Sequence, residues 1–239
     1  MVQATIPDCP RTLASASRVQ LIEWYWLGHP RFQFFKGLGE GTHLLDIGAG
    51  SGGLPYWRQY LPPDRSDLKL SGIDLAEPAT REFYENFHVG NLDDGIPFAD
   101  GSFDAAFASH VLEHVSSPEQ LLSEIGRCVR IGGLVYIEMP TPASKELPRA
   151  EEFREAGWPM MISNFFDDGT HRDTFDLLAL EAMAQRAHLK VRHRGTIRVP
   201  YLEDALIARG CEWKDSELLL YGYWSSTLWA QYAVFERGS

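Results

Sequence analysis

The sequence predicts an α/β fold with a doubly wound parallel sheet, and two observations carry that prediction. Short apolar runs alternate with helical patterns along most of the chain, as β-α-β units require. The first of these runs passes straight into a glycine-rich turn, where open sheets of this kind bind ligands. The 239 residues, 44% hydrophobic and 23% charged, suffice for a sizeable core.

The elements follow in order. Residues 1–12 read as a loose tail. Residues 15–35 read as two short aromatic helices broken at Gly28-His29-Pro30, inside an N-terminal helical cap over 1–40. His43–Ile47 is a buried strand. A helix is expected over 54–60 with Pro55 in its first turn, then a strand over 68–75 and a helix over 79–87. Phe103–Ser109 is another apolar strand, followed by a helix over 118–129 and a strand over 134–138 after the turn Gly132-Gly133. The stretch 140–175 breaks the alternation with prolines, methionines and aromatics, and reads as an insertion after a strand's carboxyl end. A helix over 176–188 and strands over 190–199 and 227–235 close the chain, while 204–220 fits no single pattern. The expectation is one domain over 1–239.

Charge and composition exclude several classes. A net charge of −11 argues against non-specific nucleic-acid binding, which needs a basic surface. Cys9, Cys128 and Cys211 are far apart and show no CxxC spacing, so no disulfide framework or zinc knuckle is expected. No run reaches the ~18 apolar residues of a membrane span, and the opening residues lack a basic-then-apolar leader pattern. A cytoplasmic monomer or homodimer is the expectation, with no nucleic-acid or membrane partner. The basic residues Arg186, Lys190, Arg192, Arg194 and Arg198 read as a solvated edge.

The most informative segment is Asp46-Ile47-Gly48-Ala49-Gly50-Ser51-Gly52-Gly53. Glycines let backbone approach a ligand closely, and a helix start behind them offers free N–H groups. Gly48, Gly50 and Gly53 satisfy the dinucleotide pattern GxGxxG. Asp46 tips the balance, because a strand-end carboxylate repels a pyrophosphate and welcomes an amino group. Asp74, ending the second strand, suits the two hydroxyls of a ribose.

Further motifs follow in order: Gly72-Ile73-Asp74, Gly90-Asn91-Leu92, Ile96-Pro97-Phe98-Ala99-Asp100-Gly101-Ser102-Phe103-Asp104, Ser109-His110-Val111-Leu112-Glu113-His114-Val115 and Ile131-Gly132-Gly133-Leu134. With them the chain resembles the class I S-adenosylmethionine-dependent methyltransferases, in the type 11 group, over about residues 42–139. The resemblance implies a Rossmann-like seven-stranded sheet of order 3-2-1-4-5-7-6 with helices on both faces. It implies S-adenosylmethionine as cofactor and S-adenosylhomocysteine as product. The motifs do not encode the acceptor atom; the expectation is methylation of a small molecule at oxygen, with nitrogen, carbon or a non-catalytic cofactor-binding role as alternatives. By resemblance Asp46 sits near the methionine amino group, and Gly48, Ala49, Gly50 and Gly52 line the cofactor. Asp74, with Leu75 beside it, takes the ribose. Asn91 and Leu92 face the adenine, and Asp93 or Asp94 replaces Asn91 if the register differs. Ser109 and His110 flank the methionine portion.

Methyl transfer needs an acceptor lone pair held in line with the S–CH₃ bond. A base helps when the acceptor is an alcohol. His110, Glu113 and His114 lie three and four apart, so a helical turn would group them. His114 and His171 are the candidate bases, and Asp173 or Thr174 is expected to cap the helix after the insertion. Small-RNA 2′-O-methyltransferases and ubiquinone-pathway O-methyltransferases carry an ExxEH-type metal site here. His110 stands where those have the first Glu, which removes a hard oxygen ligand, so no metal is assigned, while a soft-metal site on His110, Glu113, His114 and His171 stays open as an alternative. The aromatic cap and residues 158–166 are expected to enclose an acceptor with apolar faces.

Overall fold

Among residues 13–239, the part of the chain described by the computed structural model, seven strands form one sheet. They are β1 (His43–Ile47), β2 (Lys69–Asp74), β3 (Asn86–Val89), β4 (Phe103–Ser109), β5 (Val129–Pro140), β6 (Leu189–Thr196) and β7 (Ala230–Arg237). Their order is β3-β2-β1-β4-β5-β7-β6, as the resemblance implied. Strands β1 to β5 pair parallel, with Asp46 opposite Gly72 on one side and Phe107 on the other. Helices are α1 (Arg18–Gly28), α2 (Pro30–Lys36), α3 (Gly53–Trp57), α4 (Pro118–Cys128), α5 (Ala150–Glu155), α6 (Leu177–Arg186), α7 (Glu203–Trp213) and α8 (Ser216–Thr227). The tail expected at 1–12, with Cys9, lies outside the described residues.

The apolar runs explain the central strands. β1 and β4 are almost wholly buried, so they read as continuous hydrophobic segments and appear where expected. The helix expected over 79–87 does not form. A single turn of 3₁₀ helix at Arg81–Phe83 leads into β3, an edge strand with only Phe87 half-buried, which therefore gives no apolar run. The helix after the glycine turn is shorter than expected, five residues at Gly53–Trp57. The helix after the insertion starts at Asp176, whose Oδ1 accepts from Ala179 N at 2.8 Å. Asp173 and Thr174 are not the cap, because Arg172 N donates to Glu113 O at 2.7 Å and keeps the chain extended there. The ambiguous stretch 204–220 belongs to two helices, α7 and α8.

The chain divides into two compact units. One comprises Leu38–Met139, Arg172–Gly195 and Tyr232–Ser239. Its core includes Leu45, Ile47, Phe103, Leu122, Ile125, Val135, Ile137 and Phe235, all at most 2% exposed. An aromatic ladder crosses its strands: Phe107 stacks on Tyr136 at 5.2 Å, and Tyr136 on Tyr232 at 5.8 Å.

Among the described residues, the other unit gathers 13–37, Pro140–His171 and Thr196–Gln231, so most of the expected cap and of the expected insertion falls in one unit. Its core is built by α1, α7 and α8 around Leu21, Tyr25, Leu202, Leu206 and Leu218. Tyr25 stacks on Tyr221 at 4.2 Å. α7 and α8 meet at glycines: a Cβ on Gly210 would stand 2.5 Å from Leu219 N, and one on Gly222 2.8 Å from Ile207 N. The insertion is tied by polar side chains. Asp167 Oδ2 accepts from the backbone of Ala150, Ser163 and Asn164 at 3.0, 2.8 and 2.8 Å. Asn164 Nδ2 donates to the carbonyls of Lys145 and Leu147.

Within the basic run read as a solvated edge, the arginines are ion-paired: Arg186 meets Glu119, Arg192 meets Glu236, Arg194 meets Glu181 and Arg198 meets Glu203. Among the described residues no helix is long and apolar enough to cross a membrane.

Candidate functional site

The carboxyl ends of β1, β2, β3 and β4 lie along one edge of the sheet, and the expected cofactor residues are carried there. The turn after β1 is held to β2 by backbone, Gly48 N donating to Ile73 O at 2.9 Å and Ala49 N to the same oxygen at 3.4 Å. Gly50 and Gly52 both have positive φ, 55° and 80°. Their surroundings differ. A Cβ on Gly52 would land 1.8 Å from Thr80 Oγ1, whereas one on Gly50 would meet nothing closer than 4.0 Å. Gly52 is thus a packing glycine, and Gly50 offers bare backbone to open space.

Asp74 closes this turn. Its Oδ2 accepts from Gly50 N at 2.8 Å and its Oδ1 from Leu75 N at 2.6 Å. Each carboxylate oxygen can accept a second bond, so Asp74 retains acceptor capacity for hydroxyls. Leu75, 72% exposed, presents an apolar side chain next to it. Asp46 is 3% exposed, and its Oδ2 accepts from Tyr84 Oη at 2.6 Å. Burial pushes its pKa up to about 7, the Tyr84 hydrogen bond opposes that rise, and the nearby Asp74 charge adds to it.

Asn91 caps a turn of 3₁₀ helix at Leu92–Asp94, its Oδ1 accepting from Asp93 N at 3.0 Å. The alternative Asp93 is engaged by Ser116 through N and Oγ, both at 2.7 Å, which leaves Asp94 as the more accessible carboxylate of the pair. Leu92 packs against the core with its side chain partly covered.

A second group of charges sits where β4 and β5 end. His110 follows β4 with φ 55° and is held by its own N–H to Glu138 O at 2.8 Å. Its Nδ1 lies 3.1 Å from Glu113 Oε1 and its Nε2 3.0 Å from Glu138 Oε1. Glu113 and Glu138 are 0% and 1% exposed. Tyr136 Oη donates to Glu138 Oε2 at 2.6 Å, and Ser109 Oγ to Oε1 at 3.3 Å. Burial of the ring drives its pKa down, but the hydrogen bonds and charges of Glu113 and Glu138 outweigh burial and lift it to about 9. Both ring nitrogens face carboxylates, so His110 is an imidazolium at neutral pH. In that form it has no lone pair for a metal or a proton.

His114 and His171, the candidate bases, belong to different units and are each half-buried. His114 N donates to Val111 O at 3.0 Å and its carbonyl accepts from Arg172 Nε at 2.9 Å. The His171 ring stacks on Phe165 at 4.6 Å, and its Nδ1 lies 2.5 Å from Phe165 O. A carbonyl can only accept, so Nδ1 carries the proton and Nε2 is the basic nitrogen of the neutral ring.

Two residues of this edge escaped sequence reading. Glu138 had a signal, a lone carboxylate in the apolar run Val135–Met139 that must find a partner when buried. Tyr84 had none, since its hydroxyl reaches Asp46 across 38 residues of sequence.

A family model described as a methyltransferase domain matches residues 25–194. The chain belongs to that methyltransferase family. The methyltransferase is similar to 27-O-demethylrifamycin SV methyltransferase of Amycolatopsis mediterranei, 28% identical over 134 residues, 50% of this chain and 47% of that protein. It is also similar to the ubiquinone/menaquinone biosynthesis C-methyltransferase of Pseudoalteromonas translucida, 29% identical over 127 residues, 49% of this chain and 51% of that one. The methyltransferase thus matches about half or less of the length of these curated relatives. Among solved structures, Haemonchus contortus phosphoethanolamine N-methyltransferase 2, in complex with phosphomonomethylethanolamine and S-adenosylhomocysteine, has the same fold. Its TM-score is 0.59 at 16% identity, covering 92% of this chain and 57% of that one.

Proposed function

We propose that this methyltransferase takes its methyl group from S-adenosylmethionine, releases S-adenosylhomocysteine and methylates a small molecule at oxygen. The observation that carries the reading is the open backbone at Gly50, flanked by Asp46 at the end of β1 and Asp74 at the end of β2. These residues suit the cofactor's chemistry. Asp74 has acceptor capacity for ribose hydroxyls, Leu75 offers an apolar edge for a base, and Asp46 supplies negative charge for an ammonium. Asn91, Asp94 and Leu92 stand at the next strand's end for the adenine, and Ser109 precedes the charged cluster beside the methionine portion. The bound cofactor supplies a sulfonium whose methyl group leaves readily, so the chain's own task is alignment and proton removal.

His171 is the group we assign to the proton of an acceptor hydroxyl, because its Nδ1 contact fixes Nε2 as the basic nitrogen. That assignment favours oxygen over the carbon and nitrogen acceptors named for relatives. His114 is kept as the other acceptor-side candidate. His110 is not a base, since its ring is already protonated between two carboxylates.

Calorimetric titration with S-adenosylmethionine, S-adenosylhomocysteine and, separately, NAD tests the reading. Micromolar binding of the first two and none of NAD is expected. Binding of NAD alone would overturn it. Release of S-adenosylhomocysteine over a panel of alcohol, amine and carbon acceptors then decides the acceptor atom. No release with any of them would favour the cofactor-binding alternative.

A further inference from the structure

A cleft of about 570 Å³ opens at the other edge of the sheet, where β4, β5 and β6 begin. Four arginines line it, Arg127, Arg130, Arg186 and Arg237, together with His188 and a single carboxylate, Asp100. Three of these arginines are ion-paired, Arg127 with Asp100 and Glu124, Arg130 with Asp104 and Arg186 with Glu119, which leaves Arg237 as the cation without an acid partner among the described residues. We propose that this cleft binds a small polyanion, a ligand carrying two or more phosphate groups, at a site separate from that of methyl transfer.

The arginines divide the work. Arg127 is fixed: its guanidinium donates to Glu124, Asp100, Ile96 O and Phe98 O at 2.7–2.9 Å. It contributes a rigid wall whose charge Glu124 and Asp100 balance. Arg130 pairs through Nε with Asp104 at 2.6 Å, and Arg186 through Nη2 with Glu119 at 2.5 Å. Each engages an acid with one nitrogen of a group that carries five N–H donors. Arg237 differs from every arginine of the paired edge. It donates to Ala187 O at 3.2 Å and, among the described residues, has no carboxylate within ion-pair distance.

Planar guanidinium forks recognise phosphate oxygens in bidentate fashion, and their charge is not lost at any physiological pH. Several forks around one opening suit several phosphates better than one. The volume lies in the range of small-molecule sites. The glycine turn follows the carboxyl end of β1, and a seven-residue strand spans about 20 Å. A ligand in the cleft therefore does not touch the cofactor. Its occupancy would register as stability of the β4–β5–β6 edge, a ligand binding the folded chain alone.

Calorimetric and thermal-shift titration of the full chain with sodium tripolyphosphate, and in parallel with citrate, tests the proposal. One saturable site for tripolyphosphate is expected, with weaker citrate binding and loss of affinity as salt rises. Arg237→Gln and Arg130→Gln should each weaken tripolyphosphate about tenfold or more, the worth of one charge-assisted hydrogen bond. Arg192→Gln, on the paired edge, should leave it unchanged. Far-ultraviolet circular dichroism and an unaltered S-adenosylmethionine titration confirm that the variants are folded. Absence of saturable binding, binding indifferent to Arg130 and Arg237, or citrate binding as tightly as tripolyphosphate would each overturn the proposal.

Discussion

Asp46 is a carboxyl buried at the end of a strand with Tyr84 donating to it, and its titration tells how the residue works. In the unfolded chain it releases its proton near its ordinary value of 3.8, whereas in the fold it does so at about 7. Between those values the folded chain holds a proton that the unfolded chain has lost. The group therefore adds stability as pH falls through 7 and costs stability above it. Asp46→Asn is expected to raise the melting temperature more at pH 8 than at pH 6, as thermal scans at both values would check. Cofactor affinity in the native chain should rise with pH through 7, as Asp46 ionises, and the Asn variant should lose that slope. His110 behaves in the opposite sense. Its folded pKa of about 9 lies above the ordinary 6.5, so its contribution is complete below 6.5 and fades as pH rises through 9. His110→Gln leaves Glu113 and Glu138 buried together without their cation. A loss of about 3–5 kcal/mol in urea denaturation at pH 6, shrinking by pH 9.5, is the expected outcome. Asp74→Ala should weaken S-adenosylmethionine by about 1–3 kcal/mol in a calorimetric titration, the cost of leaving buried hydroxyls unpaired.

At the scale of elements, the turn between β1 and α3 separates two duties that one glycine pattern conceals. Gly52→Ala drives a methyl group into Thr80 and Pro78, so a fall in melting temperature is expected whether or not cofactor is present. Gly50→Ala meets no neighbour, so its stability loss should stay near the roughly 1–2 kcal/mol of a left-handed backbone, with a larger loss in cofactor affinity. A change of equal size in both measurements for both variants would refute that division. The same turn was legible in sequence because β1 is a continuous apolar run with glycines behind it, and β4 was legible for the same reason. β3 was not. Asn86-Phe87-His88-Val89 sits on the sheet's edge with three of its four residues exposed, and solvent imposes no hydrophobic pattern. α7 and α8 were hidden by Gly210 and Gly222, which look like breaks in sequence but permit two helices to approach closely. In the site, residues supplied by one contiguous motif were readable. The Tyr84–Asp46 and His110–Glu138 partnerships were not, because they join segments far apart in sequence and exist only after folding.

For the whole molecule, the sheet order has a cost and a use. β7 lies between β5 and β6, so the last strand in sequence is an inner strand of the sheet. Phe235, 0% exposed, carries it into the core that also contains Val135, Ile137 and Leu189. Phe235→Ala should lower stability by about 3–5 kcal/mol, measured by chemical denaturation, as much as a substitution in a central strand. The consequence reaches back to synthesis on the ribosome. Until Ala230–Arg237 has left the exit tunnel, β5 presents an open edge and β6 has no neighbour to pair with. The nascent chain therefore carries an unfinished sheet until Ala230–Arg237 is available to pair, and an open strand edge of that kind favours aggregation.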